Sequence, residues 1–500
     1  MADFGHLLND SLAAAGQAQI DQARALALIG SSAVDKALQL ARGAVDLLQA
    51  SGEHQLQAKL ADAETGVLMA RKLGAVGVVG ATAVGAVGTA AVGSYRYGKR
   101  QYDRAISEAV QDAGDQFQRA FLPHRLAGQP CLPCLDQSSG QARQQRIEKR
   151  QRLILHGERS PDPALRDSAL RLREDMHAVE LARLSDNSYA QLDPKAGPLQ
   201  KKPPEPWQAM TEEQLRAAKL SPELLEKAKA VVYTLPPDFP FDPKTVVAFR
   251  GTTADPEDIL TDHDQALGLE TEQYKAATDL GRQLRRRIPG AEVTGHSLGG
   301  GKAQAAGVVG ELKGSMFNSA GLHPKSVRLT PAELEHHAGR FEQYRAEGAD
   351  GGDPLTGLQN SREWQQRVYG GAQGLQALAQ ANRWALKELG IEDPVGLLPD
   401  QVQPIARGLA DRLLNVTQQE AARNLAYSGG KWYLPPALGQ VRGVASKTAE
   451  GRDTPLEQQH GIGGVIHGLE TRKAGDINRL LAGTGQPGPA SDYIGPTLKT

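Results

Sequence analysis

Gly295-His296-Ser297-Leu298-Gly299-Gly300 sets a serine between two glycines in the pattern G-x-S-x-G. A serine hydroxyl is a weak nucleophile until a base takes its proton and a turn exposes it. The flanks predict such a turn. Ala291 to Thr294 reads as a short strand, and Gly301-Lys302-Ala303-Gln304-Ala305-Ala306-Gly307 reads as a small-residue helix. A strand-to-helix elbow of this kind holds its serine in a strained conformation with Oγ exposed. Glycine at 295 and 299 removes the Cβ atoms that would clash as the helix crosses the strand. The helix N-terminus aims free N–H groups and its positive dipole end at a developing oxyanion. The chemistry these residues suit is acyl transfer, with Ser297 as nucleophile.

Such an elbow takes its partners in the chain order Ser, acid, His. Of the 12 histidines, only His323, His336, His337, His460 and His467 follow Ser297. The acid should end the strand after next, which Phe341 to Arg345 predicts, and Glu347, Asp350 and Asp353 all trail it. A later histidine is then His460 or His467. His460 opens His460-Gly461-Ile462, a Gly-rich loop where a mobile imidazole belongs. His467 falls inside the helical run Val465 to Lys473.

The elements that must position these groups follow from the pattern around them. Ala230 to Thr234, Thr245 to Phe249, Ala291 to Thr294, Ser315 to Phe317 and Phe341 to Arg345 predict strands. Helical stretches lie between them, which argues an α/β fold with a mostly parallel sheet covered on both faces. Upstream, Pro161 to Tyr189 predicts a helix, and the Pro- and Lys-rich run 197–206 predicts a loop. Residues 101–157 read as helical and polar, with the basic run Arg143 to Arg152 as a solvated face. Trp364 to Leu425 is mostly helical, with apolar Leu375, Leu378, Trp384, Leu386 and Leu389. It reads either as an inserted cap or lid or as a rigid helical decoration.

Residues 1–125 form an expected helical N-terminal region, and 126–171 a helical linker. The first contains an uncharged run of Gly, Ala, Val and Thr from Gly74 to Ser94, flanked by Arg71, Lys72, Arg96, Lys99 and Arg100. Its length is that of a membrane span, which needs ~20 apolar residues, but its glycines and threonines suit a buried soluble helix as well. The linker holds the only cysteines, Cys131 and Cys134. One C-x-x-C without a second pair is a poor zinc signal, and reads as ordinary thiols, a local disulfide or a redox pair. With 40% hydrophobic and 23% charged residues the chain is of the soluble globular class. A formal net charge of −1 offers no global field for nucleic acid. The N-terminus lacks the basic and apolar regions of a secretory signal, so the expected routes are cytoplasmic residence or export by a dedicated machine.

Together with the elbow, Val247-Ala248-Phe249-Arg250-Gly251-Thr252-Thr253 resembles class 3 lipases, whose F-R-G-[ST] turn builds the oxyanion hole. The resemblance spans roughly 172–475 and implies an α/β-hydrolase domain over 172–500 with a helical insertion at about 360–430. It implies that Thr252 donates its backbone N–H to an oxyanion, with Leu298 N–H as the other donor. Gly-Asp-Pro-Leu-Thr at 352–356 resembles the family's acid loop, which selects Asp353. His460-Gly461-Ile462 looks like the C-terminal histidine motif of bacterial class 3-like effectors. Asp258 to Asp262 also resembles the turn after the oxyanion loop, without its usual aromatic, and Lys302 stands where the family often has an apolar residue. The implied activity is ester hydrolysis through Ser297, Asp353 and His460, with no metal and no cofactor. The layout further resembles phospholipase effectors of type VI secretion. That implies membrane phospholipid as substrate, an immunity protein in the producer, a secretion-apparatus or chaperone partner, and action at the periplasm or membrane of a target cell. The alternatives are a cytoplasmic carboxylesterase or triacylglycerol lipase, and a membrane-damaging protein working through 74–94.

Overall fold

The computed structural model describes residues 140–494 except 254, 349–351, 362–364, 366–416, 433, 449–450, 455–458 and 487. The run at 74–94, Cys131, Cys134, Asp350 and most of the expected insertion lie outside the described residues. The chain divides into two compact units, residues 122–356 with 435–500, and residues 1–121 with 357–434. In the second unit the helix Thr417–Tyr427 is closed by Ser428, whose hydroxyl accepts from the N–H of Lys431 and of Trp432.

The first unit is built on a seven-stranded sheet whose strands lie side by side in chain order. These are β1 (Gln208–Ala209), β2 (Ala230–Thr234), β3 (Thr245–Phe249), β4 (Glu292–His296), β5 (Lys313–Phe317), β6 (Phe341–Glu347) and β7 (Gln440–Ala445). The β1–β2 and β2–β3 pairs are antiparallel, and every pair from β3 to β7 is parallel. The fold is α/β and the sheet mostly parallel, as expected. β1 and β7 are the strands the sequence pattern does not announce. β7 reads Gln-Val-Arg-Gly-Val-Ala and leaves its first two residues exposed, so neither alternation nor an apolar run marks it.

Right-handed crossovers in a sheet wound in chain order put the connecting helices on one face. Those helices are α3 (Pro256–Ala266), α4 (Glu272–Arg287) and α5 (Leu298–Gly310). The opposite face is left for segments that precede and follow the sheet, and α2 (Pro163–Leu192) and α6 (Ile462–Thr484) cover it. Helix α1 (Gly140–Glu158) packs on both of them. Strand residues therefore alternate between two cores, as a pleat covered on both faces requires. Val247, Phe249 and Val293 meet Leu280, Leu284 and Ala303. Val246, Ala248, Phe317 and Tyr344 meet Leu181, Leu184, Val465 and Leu469.

Helix α2 starts at a cap, where Asp162 Oδ1 accepts from the Ala164 N–H at 2.9 Å and Pro163 occupies the first turn. Every residue from Ala178 to Ala190 is buried, Glu180, Arg183, Asp186 and Asn187 among them. Buried polar groups need partners. Trp207 Nε1 donates to Glu180 at 3.0 Å, Arg183 donates to Glu470 of α6 at 2.7 Å, and the Tyr233 hydroxyl donates to Asn187 at 2.9 Å. Among the described residues no helix is long and apolar enough to cross a membrane.

Candidate active site

β4 ends at His296 and α5 begins at Leu298, so Ser297 alone makes the turn, at φ 56° and ψ −130°. That conformation costs an L-residue on the order of 1–3 kcal/mol and survives only where its surroundings enforce it. They do so on both sides of the peptide. Ser297 N–H donates to the Phe317 carbonyl at 3.2 Å, and its own carbonyl accepts from Gly300 N–H at 2.9 Å and Ala320 N–H at 3.0 Å. A Cβ on Gly295 would lie 2.3 Å from the Gly299 carbonyl, and one on Gly299 would lie 2.1 Å from the Phe249 oxygen. The helix crosses the strand this closely only with glycine at both positions.

The parallel sheet delivers the other groups to the same edge, the C-terminal ends of β3 to β6. Asp353 follows β6, tied back by its N–H to the Ala346 carbonyl at 2.9 Å. It stands at the start of the short helix Pro354–Asn360, where Oδ2 accepts from the N–H of Thr356 at 2.9 Å and from the Thr356 hydroxyl. Its Oδ1 lies 2.7 Å from His460 Nδ1, and His460 Nε2 lies 2.9 Å from Ser297 Oγ. Burial alone would raise Asp353, but the His460 imidazole and the Thr356 donors outweigh it and hold the carboxyl below its ordinary value. A carboxylate only accepts, so Nδ1 carries the proton of neutral His460, and Nε2 is free to accept from the serine. All three side chains are buried.

Sequence order left three carboxylates and two histidines open. Glu347 is the last residue of β6 rather than part of the trailing loop, is exposed, and pairs with Arg345 at 3.2 Å. His467 lies within α6, and the structure brings His460 and Asp353 to Ser297 instead. The imidazole on this Gly-rich loop is buried, with His460 only 1% exposed. The sequence signal, a histidine among glycines, describes the loop's composition and not the bonds that hold it.

The turn after β3 lies against the elbow, since a Cβ on Gly251 would sit 3.3 Å from Ser297 Cβ. Thr252, next in the chain, is buried, and its hydroxyl bonds the Asp262 carboxyl of α3. Leu298 is the first residue of α5, so its N–H is one of those without an intrahelical acceptor. Burial pushes the Asp262 carboxyl up to about 7, against the lowering effect of the Thr252 bond. A second carboxylate, Asp258, braces the turn. It accepts from Arg250 at 2.8 Å, from Thr253 N–H at 3.0 Å and from Gln273 at 2.9 Å. Lys302 completes this cluster. It is fully buried, donates to Gln273 Oε1 at 2.7 Å, and is lowered by burial to about 7. The departure from an apolar residue at 302 therefore has a structural partner set. The run Asp258 to Asp262, expected as a turn, lies inside helix α3 instead, and residue types alone assign its carboxylates no partner. Arg250 and Asp258 eight positions apart, one on each side of a Gly turn, are the signal that could have found the first pair.

Among the described residues no group of three or more His, Cys, Asp or Glu side chains is arranged to hold a metal ion. No curated protein matches the chain. Residues 180–394 match the family model of the Tle-like phospholipase domain. The chain carries a Tle-like phospholipase domain. The matched span includes Thr252, Ser297 and Asp353 and stops before His460, which the fold returns to the same edge through the start of α6. A lipid-hydrolysing enzyme of the phospholipase class is what this domain makes of the chain.

Proposed function

We propose that the chain is a serine phospholipase that cleaves acyl esters of membrane phospholipids through Ser297, His460 and Asp353. The observation that carries this reading is the hydrogen-bonded run from Ser297 Oγ to His460 to Asp353, set on a strained elbow inside a phospholipase-class domain. His460 Nε2 takes the serine proton as Oγ attacks the ester carbonyl, and Asp353 supports the imidazolium that forms. The oxyanion falls between Thr252 N–H and Leu298 N–H. Each such donor is worth ~3 kcal/mol of barrier. His460 then returns the proton to the departing lysolipid oxygen, and water, activated by the same imidazole, releases the fatty acid. We further propose that the enzyme is an antibacterial effector of type VI secretion, acting at the membrane or periplasm of a target cell, with an immunity protein in the producer. The Tle-like domain and the uncharged run Gly74 to Ser94 support that extension. The test is fatty-acid and lysolipid release from liposomes of defined phospholipid by the purified full chain, with Ser297→Ala alongside. Release that depends on Ser297 is expected. Release that survives the substitution, or none from any phospholipid, would overturn the reading.

A further inference from the structure

The backbone carbonyl of His460 accepts two hydrogen bonds at once. His296 Nε2 lies 2.6 Å from it and Asn318 Nδ2 lies 2.9 Å from it. A peptide oxygen has two lone pairs, so both are occupied. A carbonyl cannot donate, which places the His296 proton on Nε2 and leaves Nδ1 as an acceptor. The Tyr189 hydroxyl, 2.8 Å away, then donates into Nδ1. The tautomer of His296 is thus fixed by its partners.

Asn318 reaches further. Its Nδ2 also donates to the Gln459 carbonyl at 2.9 Å, and its Oδ1 accepts from Ala346 N–H at 2.8 Å. The carbonyl of that same Ala346 accepts from Asp353 N–H at 2.9 Å. One side chain therefore ties the peptides before and after the base's own Cα to the strand end that carries the acid. Asn318 itself sits at φ +43°, directly after β5, with its N–H on the Tyr344 carbonyl at 2.9 Å. Asparagine tolerates this left-handed conformation better than most residues.

We propose that His296 and Asn318 are positioning residues that set the His460 imidazole between Ser297 and Asp353 by clamping the peptide it hangs from, with Tyr189 orienting the His296 ring. This rests on the triad reading above. His460 is followed by Gly461, so the covalent chain itself restrains the ring little, and the clamp supplies that restraint. A displacement of ~1 Å at a reacting group costs about a hundredfold in rate. His296 must also stay neutral. Its ring centre is 5.0 Å from that of His460, where a second positive charge would oppose the imidazolium. Burial, followed by the charge of His460, holds His296 down at about 3.

A bland alternative is that these buried groups only satisfy one another's hydrogen bonds. The two readings differ in kinetics. Asn318→Asp keeps the shape and the acceptor for Ala346 N–H but replaces the donor to both carbonyls. With a soluble p-nitrophenyl ester, the clamp predicts kcat lower by about a hundredfold with KM within about twofold. His296→Leu should match it, and His296→Gln, whose amide can still donate, should recover most of the loss. Tyr189→Phe removes one hydroxyl and keeps the packing, so it reads the clamp even where the other variants fail to fold. It should lower kcat by about tenfold at an unchanged melting temperature. Unchanged kcat in Tyr189→Phe together with Asn318→Asp or His296→Leu within twofold of the parent overturns the proposal. So does a loss that Gln at 296 does not relieve. Ser297→Ala, run beside them, separates this failure from failure of the triad: retained ester hydrolysis there removes the triad reading itself.

Discussion

Two buried polar networks share the helix α2 and are built to opposite ends. Toward its C-terminal end, Tyr189 bonds His296 and so touches the group around Ser297, His460 and Asp353. About two turns earlier, Glu180 and Arg183 belong to a cluster of ion pairs with Arg143 of α1 and Glu470 and Lys473 of α6. In the first, a single carboxylate is spread over a chain of neutral donors and acceptors that ends on a hydroxyl. In the second, opposite charges close on each other. Burial would raise Glu180 and Glu470, yet their cationic neighbours hold both at about 2. The lesson is that burial alone does not make a polar group reactive. What differs is where each network ends: one closes on opposite charges, the other on a hydroxyl beside a base that can take its proton.

Losses of function and losses of stability should therefore fall in different places. The largest effect is expected for Ser297→Ala or His460→Ala, each costing about 10⁶-fold in kcat at an unchanged melting temperature, with the double variant hardly worse than either. Steady-state ester hydrolysis measures it, and additive losses would break the claim that the three act as a unit. Asp353→Asn should cost about 10⁴-fold, because a neutral amide neither enforces the tautomer nor supports the imidazolium. Glu347→Gln should leave the rate near the parent's, and a reversed order would move the acid. Thr252→Ala should cost less, about a hundredfold or below, since the backbone N–H stays in place.

The ion-pair cluster should behave in the contrary way. Glu470→Gln leaves Arg183 and Lys473 without their carboxylate and should destabilise by about 3–5 kcal/mol, while kcat of the remaining folded enzyme stays near the parent's. Chemical denaturation beside activity per folded molecule reads both. Acid gives a gentler version of the same test. The Glu180 and Glu470 carboxyls are lower in the folded chain than in the unfolded one, so their contribution is complete above an ordinary glutamate value and is lost as pH falls towards about 2. The melting temperature of the parent should fall through that window, and Glu470→Gln should flatten the fall. A slope unchanged by the substitution would assign acid sensitivity elsewhere.

How far the sequence reached divides along the same line. The elbow was legible because G-x-S-x-G carries its own geometry: Gly295 and Gly299 are where strand and helix touch. Asp353 and His460 were reached through chain order and family resemblance, and the structure brings them together across 107 positions. Order alone could not choose Asp353, because the tie from its N–H to Ala346 and the Thr356 donors are three-dimensional facts. β2 and β3 were legible as short β-branched runs, and β7 was not, since Arg442 and Gly443 interrupt it. Helix α2 shows a subtler limit. Its last turns are buried on every side while carrying Glu, Arg, Asp and Asn, so no apolar stripe records the burial. The clamp on His460 was also hidden, because its key acceptor is a backbone carbonyl, which no residue type reveals.

The central claim is that Ser297 is a nucleophile activated by His460, and covalent trapping tests it most directly. The full chain is treated with a fluorophosphonate bearing an acyl-like chain, and the modified peptide is located by mass spectrometry. One adduct is expected, on Ser297, formed rapidly in the parent, slowly in Asp353→Asn, and absent on the same timescale in His460→Ala. An unmodified Ser297 in a preparation that still hydrolyses phospholipid, or labelling at Ser297 that proceeds equally fast without His460, would contradict it.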